Sequence, residues 1–232
     1  MKKNKKILFI ACDSSNIDQV KKILKHTKKD KLIPKFGLQF FYSKNGRKFL
    51  ENYNSEFFLD IKASDISQTI ASALHSLKDL KKMRYITVMA SVGLKGLIAF
   101  KKQAKKINKN LIVCAVTILT SLDDKDLKQI GYKDKVEKLV LKQAALIKRA
   151  GIKGIVASGN EAKIIRKRFK NLFIVSPGIR LPGDKSNDQS RINTPMAAFK
   201  AGASAIVLGR SIHSGNIKRN VKRLIDHLNQ WH

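Results

Sequence analysis

The sequence predicts an α/β fold, a (β/α)8 TIM barrel forming a single domain over residues 1–232. Three observations carry that expectation. Apolar, strand-like runs recur eight times along the chain. Between them, apolar residues return at spacings of three and four, as on a helix with one buried face. No GxGxxG follows the first run, which disfavours the main rival, a doubly wound open sheet.

Taken in order, each run ends on a residue with chemical potential. ILFIAC runs into Asp13 and is followed by the helix-period segment NIDQVKKILKHTKK. LIPKFG carries Lys35 near its end, and FFLDIK carries Asp60 and Lys62 before the helical DISQTIASALHSLKDLKK. YITVMA ends at Met89, and LIVCAVT leads to Thr117 and Thr120. The amphipathic KVEKLVLKQAALIKRAG precedes GIVAS, which closes on Ser158. LFIVSPG leads to Pro177 and Arg180, and AIVLGR ends on Gly209 and Arg210. Barrels gather their catalytic groups at the C-terminal ends of the strands, so these positions form the candidate site. Charge inside an apolar strand has to be paired or used, because burying it alone is costly.

The 232 residues hold 48 Lys+Arg against 17 Asp+Glu, a formal net charge of +31 and a pI near 10.3. A hydrophobic content of 43% excludes a disordered polycation. Cys12 and Cys114 lie inside apolar runs and read as buried reduced thiols, since two cysteines cannot form a disulfide framework. The longest apolar stretch, LIVCAVTIL, is about half a membrane span. The apolar part of MKKNKKILFIACDSS is too short for a signal peptide. A cytoplasmic, non-membrane protein is therefore expected. The charge calls for an anionic partner, yet only ten of the basic residues are Arg, and most Lys fall on the outer faces of amphipathic helices. Arg handles phosphate bidentately, so where the Arg lie carries more information than the total.

Asp60 and Lys62 are two apart on a strand and face the same side. Lys35, ending the preceding strand, can reach the same pocket. An alternating lysine–carboxylate array is expected there, fixed without a metal. After the last two runs, VSPGIRLPGDKSNDQSRINTP and IVLGRSI have the character of anion-handling loops at the usual phosphate position of barrels. Arg180 and Arg210 can supply guanidinium forks, Gln189 an amide, and Gly209 lets the backbone approach closely.

These motifs together resemble the orotidine 5′-phosphate decarboxylase family, from Asp13 to Arg210. The family's D-x-K-x-x-D element is matched by Asp60, Lys62 and Asp65, with Ile66 and Thr69 following. Asp13 falls on its first-strand aspartate and Lys35 on its second-strand lysine in a K-x-G setting. V-T-x-L-T-S is present from Val116 to Ser121, P-G-I-R from Pro177 to Arg180, D-Q-x-R-x-x-T-P from Asp188 to Pro195, and G-R as Gly209–Arg210. The chain departs from the family at Ala63, Ser64, Ser67, Gln68, Met89 and Ser176, none of them a charged position of the motif.

The resemblance implies decarboxylation of orotidine 5′-phosphate to UMP in pyrimidine biosynthesis, with no cofactor and no metal. On that reading Lys62 donates the proton to C6 and Asp60 lies against the substrate carboxylate. Lys35 and Asp65 hold the array. Asp13 and Lys35 bind ribose hydroxyls, and Thr120 lies by the pyrimidine edge. Arg180, Gln189, Gly209 and Arg210 grip the phosphate. A homodimer is implied, with Asp65 and Thr69 contributed across its interface, and residues 181–188 (LPGDKSND) form a candidate lid. Two readings compete with this one. A Mg2+-dependent sugar-phosphate decarboxylase shares the lysine–carboxylate strand but typically lacks the DQxRxxTP grip. A basic nucleic-acid-binding protein would interleave aromatics with the charge, and aromatics are only 7% here. Nucleic acid is thus the less expected partner.

Overall fold

The computed structural model describes residues 6–27, 30, 32–184 and 193–229. Gln189, and the lid segment beyond Asp184, lie outside the described residues.

All eight apolar runs form strands, paired in parallel and in chain order into a closed barrel. They are β1 Ile7–Ala11, β2 Ile33–Phe36, β3 Phe57–Ala63, β4 Met83–Met89, β5 Ile112–Val116, β6 Gly154–Val156, β7 Phe173–Ile179 and β8 Ala205–Leu208. The ring closes where β1 pairs with β8, Phe9 opposite Val207. Helices cross between successive strands: α1 Ile17–Thr27, α2 Leu38–Phe41, α3 Gly46–Glu51, α4 Ser67–His75, α5 Gly93–Ile107, α6 Asp124–Gln129, α7 Val136–Arg149, α8 Gly159–Arg168 and α9 Pro195–Lys200. After β8 come α10 Arg210–His213 and α11 Ile217–Asn229. The segment expected to be helical over 65–82 is helix only over Ser67–His75 and continues as turns to Met83. None of the helices among the described residues is long and apolar enough to cross a membrane.

Strand alternation sorts the apolar residues into two layers. One parity faces the barrel axis, where Phe9, Phe58, Tyr85, Cys114, Val175 and Val207 pack together. The rings of Phe9, Phe58 and Tyr85 stand 4.9 to 5.7 Å apart, tilted or edge-on, and fill the floor of the barrel. The other parity, with Ile10, Phe36, Leu59, Ile86 and Ile206, meets the inner faces of the helices in the larger core. Each axis-facing register ends in polarity one step higher: Lys35 after Ile33, Asp60 after Phe58, Thr87 after Tyr85. The same period-2 rule that fills the floor with rings thus sets charged and hydroxyl groups at the C-terminal mouth.

Two irregularities fall at that mouth. Between β3 and β4 the register passes from Leu59↔Ile86 to Ala63↔Val88, and between β7 and β8 from Ser176↔Ile206 to Ile179↔Leu208. Each inserts extra residues on the odd-numbered strand, bending it and re-aiming its last side chains.

Candidate active site

Above the aromatic floor lies a cavity of about 190 Å3. Lys35, Asp60 and Lys62 line its polar wall, and Val116, Val156 and Pro177 are among its apolar lining. Asp60 ties this wall together. Its Oδ2 accepts from Lys35 Nζ at 2.8 Å and its Oδ1 from Lys62 Nζ at 3.0 Å. Burial alone would raise the Asp60 pKa. The two ammonium groups outweigh that effect, by charge and by hydrogen bonding, and bring it down to about 2. One carboxylate therefore stays ionised between two cations, with Lys35 only 9% exposed.

The pairing is not a simple consequence of two-residue spacing. Lys62 has φ 48°, the only positive φ among the described residues other than glycines. It sits inside the β3 bulge, so strand alternation no longer decides where it points. A left-handed conformation costs an L-residue roughly 1–2 kcal/mol, and the surroundings must hold it there. Thr87 on β4, fully buried, supplies the hold. Its hydroxyl accepts from the Lys62 backbone N–H at 2.8 Å and donates to Asp60 Oδ1 at 3.1 Å. Sequence reading missed Thr87. The available signal was a hydroxyl in the apolar run YITVMA, two residues on from Tyr85 and so on the axis-facing side.

The other expected residues divide. Thr120 borders the cavity with Ile118 and Leu119. Asp13, just past β1, accepts from the Phe40 backbone N–H at 2.9 Å and so holds the first turn of α2. Gly37 makes this possible, since a Cβ there would stand 2.2 Å from Asp13 Oδ2. Asp65 and Thr69 are exposed, at the start of α4. Asp65 Oδ1 accepts from the Ile66 N–H at 2.6 Å, and among the described residues it forms no ion pair with Lys62. The array within one chain is therefore Lys35–Asp60–Lys62, without its expected fourth member. Ile66, between Asp65 and Thr69 on this rim, is 72% exposed.

At the opposite rim, β7 and β8 end side by side. Leu181 N–H donates to Ser211 Oγ at 3.2 Å, joining the segment after β7 to α10. Arg180, 5% exposed, donates from Nη1 to the Ile179 carbonyl at 3.1 Å, while its backbone N–H donates to Asn193 O at 3.0 Å. Gly209 and Arg210 are half-buried at the start of α10. The stem of the segment expected to close is fastened by Arg223 of α11, which donates to Pro182 O at 3.0 Å and pairs with Asp184 at 3.2 Å. Among the described residues, no cluster of three or more His, Cys, Asp or Glu is placed to hold a metal ion.

Comparison with known proteins gives this architecture its relatives. The model of the orotidine 5′-phosphate decarboxylase / HUMPS family matches residues 6–224. The chain is 34% identical over 210 residues to the orotidine 5′-phosphate decarboxylase of Coxiella burnetii, covering 88% of this chain and 89% of that one. It is 36% identical over 208 residues to the protein of the same name from Sphingopyxis alaskensis, covering 88% and 91%. Among solved structures, the orotidine 5′-phosphate decarboxylase of Lactobacillus acidophilus superposes with a TM-score of 0.82 at 27% identity, covering 97% of this chain and all of that one.

Proposed function

This chain belongs to the orotidine 5′-phosphate decarboxylase / HUMPS family, and from that premise we propose how its residues perform the reaction. The protein is a carboxy-lyase that converts orotidine 5′-phosphate to UMP and carbon dioxide in pyrimidine biosynthesis. The observation that carries the residue assignment is the Lys35–Asp60–Lys62 chain on one wall of an otherwise largely apolar cavity.

When the C6–carboxylate bond breaks, its electron pair stays on C6 of the pyrimidine, where no neighbouring group can delocalise it. The site has to stabilise that charge electrostatically and then supply a proton. Lys62 does both: its ammonium faces the developing carbanion and transfers a proton to C6 as carbon dioxide departs. Lys62 is left neutral and recovers its proton from water after release. Asp60 holds the ammonium in place and stands against the substrate carboxylate, so the ground state is disfavoured relative to the transition state. Lys35 keeps Asp60 ionised and, with Asp13, binds the ribose hydroxyls.

Thr120 meets the pyrimidine edge. Arg210 and Arg180 grip the phosphate with Gly209 and Gln189, and the energy of that remote contact is spent at the reacting carbon. The fourth charge of the array, Asp65, comes from a second copy of the chain together with Thr69. Their exposure on the α4 rim beside the exposed Ile66 supports that homodimer, as does the absence of an Asp65–Lys62 pair within one chain. The whole chain acts as one domain. Its two free, buried cysteines suit the reducing cytoplasm.

Loss of orotidylate absorbance, followed with purified protein in EDTA, tests the reading. Full turnover is expected. Turnover that EDTA abolishes and Mg2+ restores would instead place the chain with the metal-dependent sugar-phosphate decarboxylases that share its β3 motif.

A further inference from the structure

We infer that the N-terminal face of the barrel, opposite the mouth, carries a continuous basic groove that binds a linear chain of phosphates such as the backbone of single-stranded RNA. Two clefts form it, of about 600 and 660 Å3, and they share Lys170, Asn171 and Leu172. Lys6, Arg166 and Lys170 line the first. Lys148, Lys153, Lys167 and Arg168 are added by the second. Neither cleft has an Asp or Glu in its lining.

The charge bias here is local. From Lys138 to Arg180 the chain contains a single acid, Glu161. That carboxylate is 4% exposed and occupied in capping α8, where it accepts from the Ser158 N–H at 2.9 Å. The plainer explanation is that Lys and Arg settle the C-terminal ends of α7 and α8. A helix end carries roughly −0.5 charge, so two of them offset about one of the seven cations. Most of the charge is therefore in excess of what the helix ends require. Burial lowers the pKa of both Lys6 and Arg166, and for Lys6 the Arg166 charge adds to the effect. The Arg166 guanidinium is already oriented, donating to Gly202 O at 3.1 and 2.9 Å and to Ser204 Oγ at 3.0 Å.

Two features choose the ligand. Both clefts are lined by several cations and meet at Lys170, which suits several phosphates in a row. Its aromatic rings are already engaged: Phe169 lies under Lys148 and Arg168 at 5.7 and 5.9 Å, and Phe173 stacks on Tyr85 at 6.0 Å. With these rings engaged by cations and by Tyr85, recognition falls to the phosphates and is independent of sequence. The strand ends that build the groove are the N-terminal ones, so its occupant does not compete with substrate at the other face.

Fluorescence anisotropy with a labelled single-stranded 20-mer RNA, titrated across salt concentrations, tests this. Replacing Lys153, Lys167 and Lys170 together by Gln is expected to weaken binding at least tenfold. The log–log salt slope should flatten by about 2, at roughly 0.7 for each phosphate no longer neutralised. Orotidylate turnover should stay within twofold, which certifies the fold. A control with Lys22, Lys78 and Lys128 changed to Gln removes the same charge elsewhere and should bind nearly as the parent does. Saturating UMP should leave RNA binding unchanged, and inorganic polyphosphate of equal phosphate number should displace the RNA. Equal losses in both triple variants would overturn the groove in favour of diffuse charge. Absence of saturable binding at physiological salt would overturn it outright. Failure of polyphosphate to displace RNA would refute recognition through phosphates alone.

Discussion

Lys62 holds a left-handed backbone although it carries a Cβ, and Thr87 is bonded both to its N–H and to Asp60. Strain and restraint can be separated by mutation. Lys62→Ala and Lys62→Gly should both abolish decarboxylation, but Gly tolerates φ 48° without penalty. The Gly variant is therefore expected to be more stable by about 1 kcal/mol, read from urea midpoints; equal midpoints would show the conformation is unstrained. Thr87→Val keeps the shape but leaves the Lys62 N–H without its acceptor. It should cost about 1–3 kcal/mol of stability and lower kcat more than it raises KM, with Thr87→Ser restoring both. The Asp60 pKa, held at about 2 against an ordinary 3.8, makes the folded state bind this proton less readily than the unfolded state. Its contribution, on the order of 2 kcal/mol, is fully present above pH 4 and lost as pH falls through about 2. Acid unfolding of Asp60→Asn should lack that component.

At the scale of elements, the bulge in β3 and the start of α4 do different jobs. The bulge turns Lys62 back towards Asp60 within one chain. The start of α4 leaves Asp65 and Thr69 exposed on the rim, open to a second copy of the chain. Asp65→Asn and Lys62→Ala proteins, each inactive alone, should regain activity when mixed under conditions of subunit exchange. Random pairing puts one intact site in half the dimers, so recovery should approach one quarter of the parent activity. Demonstrated exchange with no recovery would place Asp65 in the same chain as its Lys62. Asp13 is an element-scale device too: held by Gly37's lack of a Cβ, it couples the end of β1 to α2.

For the whole molecule, a net charge of +31 means self-repulsion that folding concentrates. The buried Lys35–Asp60 pair is shielded from salt by its surroundings, whereas the lysines on helix faces are not. Raising ionic strength from 0.01 to 0.15 M shortens the screening length from about 30 to about 8 Å. The thermal midpoint should rise by several degrees while kcat stays constant. A midpoint that falls with salt would mean surface ion pairs, such as Arg47 with Glu51 and Asp79 at 3.0 and 2.7 Å, outweigh the repulsion.

What the sequence determined by itself was the barrel and the identity of its polar mouth. Eight short, nearly continuous apolar runs, alternating with segments at period 3.6, have few ways to bury both faces of the strands and one face of the helices at once, and the runs ILFIAC to AIVLGR all became strands in order. Lys35, Asp60, Lys62 and Thr120 were legible because charge or hydroxyl at the end of an apolar run is exceptional in any local window. Tertiary structure decided the rest. The Lys62 conformation depends on a register shift against β4, a relation between strands distant in sequence. Thr87 looked like one more strand residue until Asp60 and Lys62 came within hydrogen-bonding distance of it. Lys148, Lys153, Lys167 and Lys170 are spread along the sequence with no local pattern, and only the packing of two helix ends against four strand starts brings them to one face. Local pattern records which face of an element is buried, because burial depends on spacing along the chain. Which groups meet across elements depends on register and closure, which no single window of sequence contains.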